Sequence, residues 1–190
     1  MTKTFGVMVA VLALAATPAI AQSKKAGATA GSTDAAFAKE AAIGGMAEVE
    51  LGNLAQQKAS SADVKQFGQR MATDHGKAND ELKQWASSKH VTLPTAVDAK
   101  AKATHDHLAK LSGDAFDKAY MHDMVTDHHH DIAAFKKEST SGADADLKAW
   151  AGKTLPTLED HLKNAQDVSS KVGAPSGGTK HKTKHKKHTK

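Results

Sequence analysis

Four side chains that can bind a metal interrupt the apolar faces of the predicted long helices, one on each helix. They are Glu48, His75, His128 and His161, and apolar residues precede and follow each of them at spacings of three or four. Such spacing defines one face of a helix, so the four side chains are expected to point into the core. Three imidazoles and one carboxylate suit zinc, copper or iron. The pattern therefore allows a transition-metal site inside a helical bundle as one of two interpretations.

A structural alternative stays open for the same residues. Buried polar side chains also pair with one another, here with Asp74 and Tyr120 as further partners, and such networks specify a core. In the metal hypothesis, Asp74, Asp123 and Asp127 would instead orient the imidazoles from outside the ligand set.

Distance from the turns gives a first indication of whether the four residues meet. Glu48 and His75 are expected at about 18 and 21 Å from the turn that joins their helices, at about 1.5 Å per residue. His128 and His161 differ in depth by one or two helical turns, which a break at Pro156 could reduce. The expected depths therefore match for Glu48 and His75 and differ for His128 and His161.

Asp123, Asp127, His130 and Asp131 form a second group of possible ligands on the third long helix. Spacings of three and four keep them on one side of that helix. Two interpretations are open, a surface metal site and a solvated polar face. The second is favoured, because charged helix surfaces usually face water.

The elements that position these side chains are predicted to be helices. Between Thr33 and Lys171 no stretch alternates apolar and polar residues with a period of two, and helix-forming residues dominate. Long helices are predicted at about 34–59, 61–88, 114–139 and 144–172, and a shorter one at about 97–111. Pro156 is expected to kink or split the last helix. Short turns and one longer crossover predict an all-α, antiparallel four-helix bundle with a short extra helix in the crossover.

The two ends of the chain are predicted to lie outside this bundle. Residues 1–21 have a positive start, an apolar run and a small-x-small site at 19–21, which is typical of a secretory signal peptide. Residues 22–32 indicate a flexible linker and residues 33–172 the bundle. Residues 173–190 indicate a disordered Gly/Pro linker and a Lys/His-rich tail. The mature protein is expected to be exported to the periplasm or outer membrane, without a transmembrane helix.

The net charge is divided unevenly along the chain. The whole sequence carries +5, and removing Lys3 and the six lysines of residues 180–190 leaves residues 22–179 with −2. Binding to a polyanion, such as an anionic envelope polymer or nucleic acid, is therefore expected from residues 180–190 alone. This tail has no aromatic residue, so sequence-specific nucleic-acid recognition is not expected.

Several kinds of site are excluded by the sequence. The 190 residues include no cysteine, which rules out a disulfide framework, a cysteine metal site and a thiol nucleophile. A Gly-rich phosphate loop and a convincing Ser/His/Asp series are also missing, so nucleotide and acyl-transfer chemistry have little support.

The order of several short segments resembles a known family. The segments are AAIGGMAEVELG at 41–52, MATDH at 71–75, FDKAY at 116–120 with His128, and LPTLEDHL at 155–162. Over about residues 34–170 they resemble the bacterial exported family called domain of unknown function 4142. The resemblance implies a ferritin-like four-helix bundle in an exported protein, often labelled an outer-membrane protein, and implies no established activity.

The resemblance also implies a set of recurrent polar positions, which fall on Glu48, Asp74, His75, Asp117, Tyr120, His128 and His161. Di-iron ferritin-like proteins carry Glu-x-x-His on two helices. Here Ala72 and Leu158 stand three residues before His75 and His161. Ferroxidase chemistry is therefore not expected.

Three hypotheses of function follow from the sequence. The leading one is a non-enzymatic exported bundle that binds a metal through its inward histidines and glutamate and takes part in envelope stress. The second is a ferritin-like metalloenzyme. The third is an envelope scaffold or adhesion protein that binds polyanions through its Lys/His tail.

Overall fold

The computed structural model describes residues 31–175, and the regular structure in that range is entirely helical. The helices are α1 (Ser32–Lys58), α2 (Ala62–Lys89), α3 (Ala99–Leu108), α4 (Gly113–Ser141) and α5 (Ala145–Val172). The prediction of an all-α bundle with a short helix in the crossover is confirmed. Its ferritin-like classification and the domain boundaries stay predictions. The proposed signal peptide, most of the first linker and the Lys/His tail lie outside the described residues.

Within residues 31–175, none of the helices combines the length and the apolar character that crossing a bilayer requires.

The four long helices form two helical hairpins. α1 packs along α2 and α4 packs along α5, and three residues separate the helices of each pair. Such short connections make the paired helices antiparallel. α5 begins and ends 83 residues after α2 begins and ends, at 145 against 62 and at 172 against 89. α3 lies in the crossover and contacts α1 and α4.

A buried aspartate of the first hairpin caps the turn of the second hairpin. Asp34 of α1 accepts hydrogen bonds from the backbone N–H groups of Ala143 at 3.1 Å and Asp144 at 2.6 Å. Asp144 in turn accepts from the N–H groups of Asp146 and Leu147, as expected of the N-cap of α5. A carboxylate is favoured here because the first amides of a helix lack internal partners and carry partial positive charge.

The second hairpin caps the first in the same way. Asp117 of α4 accepts from the backbone N–H groups of Ser60 at 3.1 Å and Ser61 at 2.8 Å, directly before α2. The side chain of Ser61, which directly precedes α2, makes no capping hydrogen bond. Asp34 and Asp117 are themselves 83 residues apart. The two hairpins are therefore joined by a reciprocal pair of caps.

The apolar core consists of two clusters, one toward each end of the bundle. The first includes Leu51, Leu54, Val64, Phe67, Met71, Phe116, Tyr120, Met124, Ala165 and Val168. The second includes Ala38, Ala42, Leu82, Trp85, Phe135, Leu147, Trp150 and Leu158. All four long helices contribute to both clusters, so the boundary between the clusters crosses each helix near its middle.

Pro156 does not split the last helix, because α5 is continuous from Ala145 to Val172. Proline lacks the N–H that would bond to the carbonyl of Gly152 four residues earlier. Both residues lie on the exposed side of α5, where water can bond to that carbonyl. The expected break is therefore accommodated without ending the helix.

Candidate metal centre

A polar layer lies between the two apolar clusters, with one residue from each long helix. Glu48, His75, His128 and His161 are 1%, 7%, 0% and 1% exposed. Each lies between residues of the first cluster and residues of the second along its own helix. The sequence-predicted inward positions are thus found at one level of the bundle.

The three histidines of this layer meet. The ring centroids of His75 and His128 are 5.7 Å apart, and each ring centroid is 5.4 Å from that of His161. One ring nitrogen from each residue can be chosen so that all three lie within 4.8 Å of one another. Metal–nitrogen bonds of about 2.0–2.1 Å allow three imidazoles at this separation to share one ion.

Hydrogen bonds on the far side of two of these rings decide which nitrogens are free. Nδ1 of His128 donates to the carbonyl oxygen of Met124 at 2.9 Å, and Nε2 of His161 donates to Asp74 Oδ2 at 2.8 Å. A carbonyl or carboxylate oxygen can only accept, so in a neutral ring the remaining nitrogen carries a lone pair. Those remaining atoms, His128 Nε2 and His161 Nδ1, together with His75 Nε2, make no hydrogen bond within the described part of the chain.

The electrostatic surroundings keep the three rings neutral. Burial, then the other two histidines, lowers the pKa of His75 well below its ordinary value of 6.5. Burial, then His161, lowers the pKa of His128 to about 4. Burial also lowers the pKa of His161, although its hydrogen bond to Asp74 opposes the shift. Neutral imidazole is the form that binds metal.

The arrangement is therefore suited to binding a cation. Each unpaired polar atom left in a core costs roughly 1–3 kcal/mol. Three imidazoles meet here, each with a ring nitrogen that has no hydrogen bond within the described residues, and two of the rings are oriented by a hydrogen bond from their other nitrogen. Partners of this kind fix the tautomer and direction of a ligating histidine.

Asp74 lies where an orienting carboxylate was predicted, and it is itself held by Arg70. The Arg70 Nε atom donates to Asp74 Oδ2 at 3.3 Å, and its Nη2 atom donates to Asp160 at 2.7 Å. Neither this bridge from α2 to α5 nor the role of the Met124 carbonyl was predicted from the sequence. The spacing of four between Arg70 and Asp74 was the one available signal.

Glu48 belongs to the polar layer but approaches His128 on the edge opposite its free nitrogen. Its Oε1 atom is 3.9 Å from His128 Nδ1, the atom that donates to Met124. Burial raises the pKa of Glu48 well above 4.5, and the negative charges of Asp127 and Asp131 raise it further. Its role as a fourth ligand of the histidine centre stays a prediction.

The remaining predicted residues lie at three different places. The negative charge of Asp127 raises the pKa of Glu48, and both residues line the same cleft. Tyr120 is fully buried and stacks on Phe116, and burial, then Glu48, raises its pKa well above 10. Asp117 caps the turn before α2, eleven residues and so about 16 Å along the helix axis from His128. The structure does not bring Asp117 to the histidines.

A solved structure with a similar fold is that of a protein of the DUF305 family from Streptomyces coelicolor, described as secreted. The TM-score is 0.66 at 18% identity, over 78% of this chain and 98% of that one. At this identity the likeness shows the shared helical fold alone. No curated protein matches the chain.

A match of the sequence to a family model identifies the family. The model described as Domain of unknown function (DUF4142) matches residues 18–168, which is most of the chain and includes all four residues of the polar layer. The chain therefore belongs to the DUF4142 family.

Proposed function

We propose that this chain is an exported helical-bundle protein that binds a transition-metal ion of the zinc or copper class at His75, His128 and His161. The observation that carries the proposal is the convergence of three buried imidazoles whose free nitrogens have no hydrogen-bond partner among the described residues. The rings come from three helices of two hairpins. A bound ion would therefore crosslink the bundle at its middle.

The donor set supports the choice of metal. Neutral imidazole is a good ligand for zinc, copper, nickel and iron, whereas magnesium and calcium prefer oxygen. The group within 4.8 Å contains nitrogen donors and no carboxylate. Three protein ligands leave a fourth position of a tetrahedral ion for water or another group.

Metal titration of the untagged full-length mature protein tests the proposal. Zinc binding is measured by competition with a chromophoric chelator, and copper binding by electron paramagnetic resonance. Loss of a residue that only orients a metal ligand weakens binding by roughly 10–100-fold. We expect H75Q, H128Q and H161Q, which each remove a ligand itself, to weaken binding by at least that factor. For Cu(II), the wild-type spectrum should show coupling to several imidazole nitrogens.

Two matched controls separate this centre from other histidines. H129Q changes an exposed histidine next to His128 and should leave zinc affinity unchanged. The triple variant H181Q/H185Q/H188Q removes the tail imidazoles while keeping the chain length. If the three core variants bind like the wild type while the tail variant loses the metal, the proposed centre is wrong.

Two observations support export. Residues 1–21 have the pattern of a signal peptide, and the DUF305 protein with the similar fold is described as secreted. Mass spectrometry of the protein from its native cells should find an N-terminus at Gln22. An intact N-terminus in the cytoplasmic fraction would contradict this part of the proposal.

A second candidate function rests on the tail. Residues 180–190 hold six lysines and three histidines, a composition that binds polyanions with strong salt dependence. Binding to lipopolysaccharide or nucleic acid should disappear when the six lysines are replaced by glutamine. Unchanged binding in that variant would remove the scaffold hypothesis.

A further inference from the structure

A second polar site lies outside the three-histidine centre, in a cleft between α1, α3 and α4. The cleft has a volume of about 410 Å³ and is open to solvent on one side. Of the described residues that line it, six carry carboxylates and one, Lys100, carries an ammonium group. The carboxylates are Glu40, Glu48, Asp98, Asp123, Asp127 and Asp131.

The carboxylates are concentrated where α4 faces α1. Asp123, Asp127 and Asp131 follow one another at spacings of four, which places them on one face of α4. Burial, then the charge of Asp127, raises the pKa of Asp131 to about 7. Like charges held this close oppose one another in the absence of a cation.

Glu48 is the feature that distinguishes this cleft from an ordinary acidic surface. It lines the cleft from α1 and is only 1% exposed, and no N–H or hydroxyl group within residues 31–175 donates to either carboxylate oxygen. The side chain that is close enough to share a hydrogen bond with it is Asp127, which is itself a carboxylate. A buried carboxylate is normally paired with a cation or several hydrogen-bond donors. Here its nearest charged neighbours on α4 are other carboxylates. Lys100 lines the same cleft, but among the described residues no lysine or arginine forms an ion pair with Glu48, Asp127 or Asp131.

We propose that this cleft binds a hydrated divalent cation of the oxygen-preferring class, held by Glu48 of α1 and by Asp127 and Asp131 of α4. Carboxylate oxygens are the ligands that Mg²⁺, Ca²⁺ and Mn²⁺ prefer, and Mg²⁺ and Mn²⁺ usually keep several waters. The cleft is larger than a bare ion and leaves room for those waters. Unlike the three histidines, these carboxylates do not form a group whose ligand atoms all lie within 4.8 Å of one another. The ion is therefore held partly through its waters, and the site differs from the three-histidine centre in its donor atoms and in its opening to solvent.

Mn²⁺ is the probe for this site, because the free ion has a sharp paramagnetic signal and little preference for isolated imidazoles. The full-length mature protein is titrated with Mn²⁺, and free ion is measured by electron paramagnetic resonance. E48Q and D131N should each weaken binding by roughly tenfold or more, in line with loss of a carboxylate ligand. E50Q, an exposed change two residues along α1, should have no effect.

A second measurement uses the unaltered protein and so does not depend on how the variants fold. Bound Mn²⁺ broadens the nuclear magnetic resonance signals of nearby amides. We expect broadening centred on residues 44–48 and 127–131. Broadening confined to the tail, or Mn²⁺ binding that E48Q and D131N leave unchanged, would overturn the proposal.

The two metal proposals fail in different ways. H161Q should weaken zinc binding and leave Mn²⁺ binding intact, whereas E48Q should weaken Mn²⁺ binding. Mn²⁺ binding that is lost in H161Q and kept in E48Q would assign the ion to the histidines and overturn the cleft proposal alone. Normal zinc binding in H161Q, with Mn²⁺ binding weakened in E48Q, would overturn the histidine proposal alone.

Discussion

Asp74 on α2 accepts a hydrogen bond of 2.8 Å from Nε2 of His161 on α5. This one contact joins the two hairpins at the level of the polar layer. It also sets the tautomer of His161, because the proton must be on Nε2 and the lone pair on Nδ1. The Asp74 carboxylate therefore acts on the candidate metal centre without belonging to it.

Replacing Asp74 with asparagine should weaken zinc binding while the bundle stays folded. The asparagine oxygen can still accept from His161, but the negative charge that increases the basicity of the ring is lost. We expect affinity to fall by roughly 10–100-fold, as measured by chelator competition. D80N, an exposed change on the same helix, is the control. Equal affinities for D74N and the wild type would mean that Asp74 only connects the helices.

Acid should destabilise the metal-free protein through His128. Its pKa is about 4 in the folded state against an ordinary 6.5, so the unfolded chain binds the proton first as the pH falls. Stability from this group is complete above pH 6.5 and is lost as the pH falls to about 4, a change of roughly 3 kcal/mol.

H128Q isolates this effect from the other titrating groups. The raised pKa of Glu48 has the opposite sign, because its folded form stays protonated and disfavours folding above pH 4.5. Urea unfolding in the presence of a chelator, at several pH values between 4 and 7, should therefore show a shallower pH dependence for H128Q. Parallel curves for the two proteins would contradict this assignment.

Removing either of the reciprocal caps should destabilise the protein without changing its metal affinity. D34A and D117A each leave two backbone amides at a helix start without their carboxylate partner. The expected cost is roughly 2 kcal/mol for each in chemical unfolding. D80A serves as the exposed control. A large loss of zinc affinity in D117A would instead mean that Asp117 acts on the metal centre.

The contact between α1 and α2 depends on a glycine that alanine cannot replace. A Cβ atom at Gly52 would collide with the Gly68 carbonyl oxygen and lie 3.0 Å from the Ala72 nitrogen. G52A should cost about 1–3 kcal/mol, because the helices must separate. At Gly44 a Cβ meets nothing within 4 Å, so G44A should stabilise the protein by about 0.5–1 kcal/mol. Thermal unfolding of the two variants should shift in opposite directions.

Apolar periodicity was sufficient to predict the helices and the inward positions of the polar layer. It gave less information about the distance of each residue from the turn, because an error of a few residues in the position of the turn shifts one helix along its partner. α4 continues to Ser141, two residues beyond the predicted end, and α5 continues through Pro156. With these bounds His128 and His161 come within ring-contact distance, where the sequence estimate left them one or two turns apart.

Contacts between distant segments could not be read from periodicity. The free nitrogen of His128 is determined by a carbonyl on its own helix, and that of His161 by a carboxylate on α2. Asp117 has the spacing of an inward residue like the others, yet its position near the start of α4 places it against the turn before α2. Chemistry alone does not distinguish a ligand-orienting aspartate from a capping one.

Because each hairpin caps the turn of the other, cleaving the chain between them should separate each turn from its cap. Neither hairpin contains the carboxylate that accepts from its turn amides, so an isolated hairpin would leave two amides of the turn before its second helix unpaired. A protein cleaved in the crossover between α2 and α3 would instead consist of two fragments with complementary ends. Such fragments should be largely unfolded apart and reassemble when mixed, as a split protein does.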